Sequence, residues 1–335
     1  MYIVGPCAAE SEEQLLRIAD CLSAKRSVLC QRSGLYSKII FRAGLWKPRT
    51  SPDTFQGVGD IGLTWLQRVK ETYNLPVATE VSTPEQVVKA LEAGIDYLWI
   101  GARTSANPIL VQSLAQTISN FQTLKGIFVK NPVNEDPALW IGNIRRLQKT
   151  DIPVYAIHRG CNHRPCWSMA YELRQALPAI PLLLDPSHLS GDAAKVPELC
   201  NIAAELDYDG LMIEVHDHPA EALSDAKQQI TPDVFETILQ TLQTIQPSDH
   251  QTLSWLRRMM DEIDDELWNT IAKRMEISKQ IGAYKKSRNM EVLQPTRFAQ
   301  ILANRLDWAQ SHNLSQPAVE QIMNAIHHES IRVQE

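Results

Sequence analysis

The feature that most constrains the fold of this 335-residue chain is an eightfold alternation of short apolar runs and amphipathic segments. Each run has the length of a buried strand, and the segment after it shows the apolar period of a helix. Eight such units within about 245 residues match the size of a (β/α)8 TIM barrel. A doubly wound open sheet is the alternative, but the count of eight and the lack of a GxGxxG turn disfavour it. The predicted strands span residues 2–4, 39–41, 76–81, 97–100, 126–129, 154–157, 181–184 and 210–215.

Polar residues follow the predicted strands, where the carboxyl ends of barrel strands meet at one mouth. Four of these residues are cations, although the chain carries a net charge of -6. A single cation at a strand end is usually a solvated loop charge, but four of them at one mouth predict an anion-binding site. The strand-end residues are Cys7, Arg42, Glu80, Arg103, Lys130, Arg159, His188 and Glu214.

A metal site is predicted from residues 182–229, which read as two buried strands with a helix between them. His188 follows the first strand, Glu214 lies on the second, and Asp225 is in the next loop, while Cys7 after the first strand of the chain is the fourth candidate ligand. Nitrogen, carboxylate and sulfur donors suit a divalent transition metal better than Mg or Ca. We expect manganese first, with iron, cobalt and zinc as alternatives, and no organic cofactor.

Composition excludes several classes of protein. The net charge does not suggest a nucleic-acid partner, and no run of 18 apolar residues predicts a membrane span. The N-terminus lacks the basic region of a signal peptide, and the six cysteines follow no disulfide spacing. We therefore expect reduced thiols in a cytoplasmic protein. Cys161 and Cys166 flank His163, but their spacing matches no standard zinc pattern.

The segment FRAGLWKPRTS concentrates charge further, with Arg42, Lys47 and Arg49 within eight residues and Thr50 beside them. Guanidinium groups bind phosphate and carboxylate in a bidentate way, and a lysine adds a point charge. So many cations at one mouth imply a substrate with several anionic groups, or two anionic substrates. A metal beside them would polarise a carbonyl group or activate water.

The motifs GPCAAE, KPRTS, GARTS, HRG, DPSH, IEVH and LSDAKQQ, together with Lys130, closely resemble 3-deoxy-D-arabino-heptulosonate 7-phosphate (DAHP) synthases of the short-core type I beta kind. The resemblance covers nearly all of residues 1–240. It implies the condensation of phosphoenolpyruvate with erythrose 4-phosphate, the entry step of the shikimate pathway. The sister synthases that use arabinose 5-phosphate have a KANR-like motif where this chain has KPRT at residues 47–50.

The same resemblance assigns roles to individual residues of this chain. Lys47 is expected to take part in catalysis as well as in binding, whereas no general acid or base is assigned and Glu80 is a weak candidate. The implied metal ligands are Cys7, His188, Glu214 and Asp225; the implied phosphoenolpyruvate contacts are Arg42, Lys47, Arg103, Lys130 and Arg159; and the implied erythrose 4-phosphate contacts are Arg49 and Thr50.

The pattern changes after the barrel. Residues 246–251 are polar and contain a proline, which predicts a linker between a barrel domain at 1–245 and a helical domain at 252–335. A long helix to about residue 286 and two shorter ones at 295–311 and 316–334 are predicted. Because the first is too long to bury itself, we expect a three-helix unit that forms a homodimer.

One stripe of the long helix is apolar, with Leu256, Met260, Ile263, Leu267, Ile271 and Ile281 at a 3-4 spacing. Two cations, Arg274 and Lys285, share this stripe about three turns apart, roughly 16 Å along the axis. A buried cation needs an anionic partner, so these two side chains could bind a small dianion between them. The alternative is that they are surface residues.

Residues 252–335 resemble an all-helical chorismate mutase of the intertwined-dimer kind, through LRRMMDEID, KR, IGAYK, TRF and ES near the terminus. The resemblance implies the rearrangement of chorismate to prephenate, which needs charge placement but no covalent catalysis. Where many members have Asp and Glu, this chain has Gln294 and Phe298, which puts contact to the substrate hydroxyl in doubt. The implied catalytic residues are Arg257, Arg274, Lys285, Arg297, Ser330 and Gln334.

Together the two resemblances predict a bifunctional enzyme of aromatic amino acid biosynthesis. An alternative makes the helical part a dimerising, ligand-sensing regulatory module with little turnover, and the two are compatible if prephenate or chorismate feeds back on the barrel. A further alternative is a related phosphoenolpyruvate-condensing synthase that uses another sugar phosphate.

Overall fold

A computed structural model describes residues 1–25, 38–47, 53–162, 164–245 and 250–334 of the chain. The chain divides into two compact units, Met1–Met259 and Met260–Glu335, and each is described by itself. Within the described ranges, no helix is both long enough and apolar enough to cross a bilayer.

The first unit is a closed barrel of eight parallel strands that follow one another in chain order. They are β1 (Tyr2–Gly5), β2 (Ile39–Arg42), β3 (Val77–Val81), β4 (Tyr97–Ile100), β5 (Gly126–Lys130), β6 (Val154–His158), β7 (Leu182–Leu184) and β8 (Gly210–Glu214). Pairing of β1 with β8 closes the ring, with Ile3 beside Met212 and Gly5 beside Glu214. The closed ring confirms the predicted (β/α)8 barrel.

Helices between the strands begin at sequence signals that supply hydrogen-bond acceptors to free backbone N–H groups. Thr83 forms a capping box with Gln86, and the side chains of Asn107, Asp136 and Thr231 each cap a helix that has proline in its first turn. The helices of this unit are α1 (Glu12–Ala24), α2 (Ile61–Tyr73), α3 (Pro84–Glu92), α4 (Ala102–Ser105), α5 (Pro108–Ile118), α6 (Pro137–Gln148), α7 (Trp167–Ala176), α8 (Pro186–Ser190), α9 (Val196–Glu205) and α10 (Pro232–Leu242).

Alternation along each strand divides the core into two layers, because successive side chains point to opposite faces. On β1, Tyr2 and Val4 join the large cluster that the helices cover. Ile3 points the other way and packs with Trp99 and Phe128 inside the barrel. The barrel is therefore filled with side chains, and its site can form only at the open end.

Four strands, β1, β2, β5 and β6, extend one residue beyond their predicted ends. Arg42 pairs in register with Ala78, and Lys130 with Ile157, so both cations are the last residues of their strands and do not follow them. Conversely, the predicted strand 210–215 ends at Glu214, because Val215 forms an isolated bridge with Ile230. Because Arg42 and Lys130 belong to strands, their side chains lie along the inner wall of the barrel mouth.

Helix α11 (Gln251–Ser287) contains the division between the two units. In its first turns, Trp255 is 2% exposed and packs against the rings of Trp167, Tyr171 and Tyr208. Arg258 also forms an ion pair with Glu205 at 3.1 Å. The start of this helix is thus held on the helices of the barrel.

The second unit contains the rest of α11 with α12 (Pro295–Ser311) and α13 (Gln316–Arg332), and so confirms the predicted all-helical domain. The predicted stripe on α11 is only partly covered within one chain. Ser278 and Lys285 are buried, and Gly282 lies against Gln334, where an added Cβ would be 2.7 Å from the Gln334 Cα. The apolar positions nearer the start, Met260, Ile263 and Leu267, remain exposed, as does Ile281.

Closure of the barrel leads to a first prediction, at Gly210 on β8. An added Cβ would lie 2.1 Å from the Met1 carbonyl oxygen, a main-chain atom that cannot move without displacing β1. We expect Gly210→Ala to lower the free energy of unfolding by about 1–3 kcal/mol, measured by guanidinium unfolding followed by tryptophan fluorescence.

Gly142→Ala is the matched control, because its Cβ would meet only the flexible end of Arg146, at 3.1 Å. Gly142 lies within helix α6, where alanine is favoured by roughly 0.5–1 kcal/mol. Equal stabilities for the two variants would contradict the tight β1–β8 contact.

Candidate active sites

Three of the four predicted metal ligands cluster at the carboxyl end of the barrel. Ligand atoms of Cys7, Glu214 and Asp225 all lie within 4.8 Å of one another. The Cys7 thiol is 2.9 Å from an Asp225 carboxylate oxygen, and Nε2 of His188 is 3.6 Å from Oε1 of Glu214. The structure thus brings together all four side chains, which come from β8 and from the segments after β1, β7 and β8.

Two neighbouring glutamines hold the segments that carry these residues. Gln229 accepts a hydrogen bond from the backbone N–H of Cys7 at 3.0 Å and donates one to the Ser224 carbonyl at 2.8 Å. Gln228 donates to Oε2 of Glu214 at 2.7 Å. Sequence reasoning gave neither glutamine a role, although both lie in the LSDAKQQ segment that marks the resemblance.

Arg42 and Lys47 place their charges directly beside these ligands. Arg42 is 1% exposed, with Nη2 3.1 Å from Oε1 of Glu214 and its guanidinium 4.7 Å from the centre of the Trp99 ring. Its Nε and Nη1 are buried and have no partner among the described residues. Nζ of Lys47 lies 3.0 Å from the Cys7 sulfur. Buried donors that lack a partner are available to bind an anionic ligand.

A second buried charge set links β5, β7 and α8. Nζ of Lys130 is 2.7 Å from Asp185, whose carboxylate also lies 2.9 Å from Nδ1 of His188. The same carboxylate caps α8 through the backbone N–H of His188, at 3.0 Å. The sequence analysis missed Asp185, but its position directly after a strand in the DPSH motif was a usable signal.

A cavity of about 370 Å³ opens beside these groups. Its wall contains Glu80, two of the predicted metal ligands and four of the predicted cations. Arg49 and Thr50, the expected sugar-phosphate contacts, lie outside the described residues. The cations and ligands in the wall are Lys47, Arg103, Lys130, Arg159, His188 and Asp225.

Electrostatics at the cluster suit a bound divalent cation. Burial raises the pKa of the Cys7 thiol to about 12, and the Glu214 carboxylate adds to the rise. Burial alone would raise the pKa of Glu214 too, but the charges of His188, Arg42 and Lys47 outweigh it and hold the pKa below its usual value. A thiol and two carboxylates crowd one small volume, and a cation there would relieve their repulsion and replace the thiol proton.

The helical unit brings three predicted residues together. Arg274 on α11 donates a hydrogen bond to the Ser330 hydroxyl on α13, and Gln334 donates to the Ser330 carbonyl at 3.0 Å. Burial lowers the pKa of Arg274. Lys285, also buried, donates to the Val292 carbonyl at 2.6 Å. Arg274 thus meets α13, whereas Lys285 bonds to the segment between α11 and α12.

The remaining predicted mutase residues are placed differently. Arg257 is exposed on the segment of α11 that belongs to the first unit, and Arg297 is exposed in the first turn of α12. Of the two departures, Gln294 precedes α12 and is exposed, whereas the ring of Phe298 stacks on His327 with centroids 3.8 Å apart. The apolar ring therefore packs within the unit.

A family model described as the DAHP synthetase I family matches residues 1–249. The chain belongs to this family. A second model, chorismate mutase type II, matches residues 256–335 of this DAHP synthase. The protein is therefore a bifunctional enzyme, with transferase activity from the barrel and isomerase activity from the helical domain.

Relatives of this DAHP synthase are similar across the barrel. A phospho-2-dehydro-3-deoxyheptonate aldolase from Thermotoga maritima is 30% identical over 72% of this chain and 69% of its own length. A crystal structure of a phospho-2-dehydro-3-deoxyheptonate aldolase from Thermotoga maritima matches with a TM-score of 0.62 and 26% identity, over 76% of this chain and 70% of that one. A 2-dehydro-3-deoxyphosphooctonate aldolase from Desulfatibacillum aliphaticivorans is 29% identical over 73% of this chain and 91% of its own length.

The carboxylate of Asp185 is expected to stabilise the buried charges of the synthase site. Burial alone would raise its pKa, but the charges of His188 and Lys130 outweigh it and hold the pKa well below the usual value. Asp185→Asn leaves Lys130, which is 4% exposed, without its counter-charge. We expect the free energy of unfolding at pH 7 to fall by about 3–5 kcal/mol, measured by denaturant unfolding.

Asp151→Asn is the control, since Asp151 is exposed and its φ of 59° is one that asparagine tolerates. Its stability should stay within about 0.5 kcal/mol of the parent. A loss at Asp185 no larger than this would show that Lys130 does not depend on the carboxylate.

Proposed function

We propose that the DAHP synthase reaction of this enzyme depends on a divalent metal ion held by Cys7, His188, Glu214 and Asp225. The observation that carries the proposal is the approach of three of these ligands to within 4.8 Å, with Glu214 and Cys7 fully buried. Their sulfur, nitrogen and oxygen donors suit transition metals, and manganese is the ion we expect, with iron, cobalt and zinc as alternatives.

For substrates we propose phosphoenolpyruvate and erythrose 4-phosphate. The bound ion would supply Lewis-acid polarisation of the sugar aldehyde through its oxygen, so that the enol carbon can attack the aldehyde carbon. The chain itself supplies the anion-binding groups: Lys47, Arg103, Lys130 and Arg159 line the cavity and would hold the phosphates and the carboxylate in reacting geometry. Arg42 adds the two buried donors that have no partner within the described structure.

Lys47 is the residue that we place closest to the chemistry. Burial would lower its pKa, but Cys7 when it is a thiolate and the charges of Glu80 and Glu214 outweigh burial and raise the pKa. Its ammonium group therefore stays protonated, and it can donate a hydrogen bond or a proton to a substrate oxygen beside Cys7. Arg49 and Thr50 remain the predicted contacts for the sugar phosphate.

Another sugar phosphate is the alternative, supported by the relatives named 2-dehydro-3-deoxyphosphooctonate aldolases. The KPRT motif at residues 47–50 and the matched family model favour erythrose 4-phosphate. Phosphate release from phosphoenolpyruvate, compared with erythrose 4-phosphate and arabinose 5-phosphate as partners, decides between them. Faster turnover with the five-carbon sugar would reverse the assignment.

Metal removal tests the first proposal. We expect EDTA to abolish the condensation and to leave chorismate turnover unchanged, because only the barrel presents a cluster of metal ligands within the described residues. Restoring activity with individual ions would identify the metal. Cys7→Ser should weaken manganese binding by about 10- to 100-fold in a direct titration of the full chain.

Cys200→Ser is the matched control for that titration. Cys200 is equally buried, but it lies on helix α9, away from the cluster. Equal metal affinity in the two serine variants, or condensation that survives EDTA in metal-free buffer, would contradict the proposed site.

For the helical domain we propose that Arg274 and Lys285 hold chorismate, with Ser330 and Gln334 as neighbouring hydrogen-bond partners. The arginine suits a substrate carboxylate, and Lys285 can stabilise charge on the ether oxygen as the bond breaks. Arg257 and Arg297 complete the predicted set. We propose 1–245 and 252–335 as the domains joined by 246–251, of which 246–249 lie outside the described residues.

Arg274→Ala tests this site. We expect chorismate turnover to fall by at least about 100-fold, because the guanidinium that would bind a substrate carboxylate is lost, while the condensation rate is unchanged. The control is Lys273→Ala, at the exposed position directly before Arg274 on the same helix, and it should leave both rates unchanged. Unchanged turnover in Arg274→Ala would leave the helical domain with only a binding role.

The same variants separate the proposed sensing role from turnover. If prephenate bound by the helical domain slows the condensation, it should slow the parent and Lys273→Ala but not Arg274→Ala. Equal responses in all three proteins would exclude sensing through this site.

We also propose a homodimer formed through α11. Met260, Ile263, Leu267 and Trp268 are 58%, 59%, 51% and 67% exposed on this helix, an apolar surface that one chain does not cover. Sedimentation velocity should give a dimer for the parent and a monomer for the variant with Ile263→Lys and Leu267→Lys. Ile109→Lys, at a position 81% exposed on α5, should remain dimeric. A monomeric parent would contradict the proposal.

A further inference from the structure

The segment after β6 contains two cysteines that the proposed functions do not use. Cys161 and Cys166 are each 1% exposed, and both are free thiols. Between them the backbone turns sharply, because Cys161 and Arg164 exchange N–H···O hydrogen bonds of 2.9 Å in both directions. His163 lies outside the described residues. Two thiols five positions apart are thus held on one short, closed loop.

Cys161 lies within hydrogen-bonding reach of the Cys166 side chain, and its thiol also donates to the Met169 sulfur at 3.2 Å. The hydrogen bond with Cys166 lowers the pKa of Cys161, with the charges of Arg159 and Arg164 acting in the same direction against burial and Glu135. Burial raises the pKa of the Cys200 thiol, as it does at Cys7. Asn131 adds a donor 3.7 Å from the Cys161 sulfur. Hydrogen-bond donors and positive charge are the surroundings that favour a reactive thiolate.

We propose that Cys161 and Cys166 form a reversible redox pair, which hydroperoxides convert to a disulfide that lowers DAHP synthase activity. In the first step the Cys161 thiolate attacks a peroxide oxygen; the O–O bond breaks, hydroxide leaves and is protonated, and Cys161 becomes a sulfenic acid. In the second, the Cys166 sulfur attacks the Cys161 sulfur, the S–O bond breaks and water leaves. The two thiols lose two electrons and two protons, and hydrogen peroxide becomes two waters.

The loop connects this pair to the substrate cavity. Arg159 and Asn162, on either side of Cys161 along the chain, both line the cavity wall. Asn131 holds the same loop, because it accepts the Arg159 backbone N–H at 2.7 Å and donates to the Gly160 carbonyl at 3.0 Å. A Cys161–Cys166 bond would change the contacts of the Cys161 sulfur with Asn131, at 3.7 Å, and with Met169, at 3.2 Å, and so shift the loop that positions Arg159. Misplacing such a group by about 1 Å can cost up to 100-fold in rate.

The experiment treats the metal-loaded full chain with graded hydrogen peroxide, blocks free thiols and maps the peptides by mass spectrometry. We expect a peptide cross-linked between Cys161 and Cys166, and a fall in condensation kcat/KM of about tenfold that dithiothreitol reverses. Chorismate turnover in the same sample should not change, and it serves as the internal control. The proposal is wrong if the unfolded chain forms this cross-link but the native chain does not.

Variants separate this pair from oxidation of Cys7. At a hydrogen peroxide dose that inactivates the parent in a way that dithiothreitol reverses, Cys166→Ser and Cys161→Ser should each retain condensation activity. Cys200→Ser should respond as the parent does. Thermal unfolding checks that each variant is folded, and Cys166→Ala replaces any that is not. If peroxide inactivates the parent and Cys166→Ser equally, and the loss follows the modification of Cys7, the proposed effect of the Cys161–Cys166 disulfide on condensation activity is wrong. If chains with both cysteines release one zinc ion each and the single-cysteine variants release none, the pair is a metal site and the redox proposal is wrong.

Discussion

The buried carboxylate of Glu214 is the charge on which the rest of the synthase site depends. It lies at the end of β8 with no exposure to solvent, and a buried carboxylate is costly unless each oxygen has a partner. Arg42 pairs with one oxygen and Gln228 donates to the other. Because Arg42 also stacks on Trp99 inside the barrel, the packing of the interior and the charge balance of the mouth are linked.

Closure of the barrel determines which side chains can meet Glu214. In a closed ring β1 lies between β8 and β2, so the ends of the first two and last two strands are neighbours. Cys7, Arg42, His188 and Glu214 follow or end these four strands. An open sheet of the same eight strands would separate the first from the last and could not bring Cys7 to Asp225. The cluster of candidate metal ligands is thus a consequence of topology as well as of residue type.

The two domains place charge for different kinds of chemistry. In the barrel, cations surround a cluster of acidic and thiol groups, an arrangement that suits a metal ion and two phosphorylated substrates. In the helical domain, Arg274 contacts Ser330, and Lys285 is buried two turns beyond Ser278 with a main-chain partner. An isolated pair of cations with neutral hydrogen-bond partners suits a dianion that rearranges without a metal. One long helix, α11, contributes to both units, since Trp255 packs on the barrel and Arg274 lies in the mutase domain.

Local sequence was sufficient for the elements and for the residue types of the sites. Apolar periodicity and capping residues such as Thr83 and Asn107 act over a few residues, so the strands and the three helices of the second unit could be placed within one or two positions. Cations at strand ends indicated an anion site, because parallel strands always present their ends together. Strand boundaries that differed by one residue, such as those at Arg42, Lys130 and Val215, depend on pairing with a neighbouring strand, which a single run of residues does not reveal.

Only the tertiary structure decided which partners complete each site. Gln229 reaches Cys7 across 222 positions of the chain, and Asp185 balances Lys130 across strands that are not adjacent in the ring. The exposure of Ile263 and Leu267 likewise follows from what the other two helices cover, which periodicity does not specify. The sequence by itself determined the barrel, the helical domain and the chemistry available at their ends. The fold decided how buried charges are paired, because compensation of a buried charge is a property of distance in space and not of position in the chain.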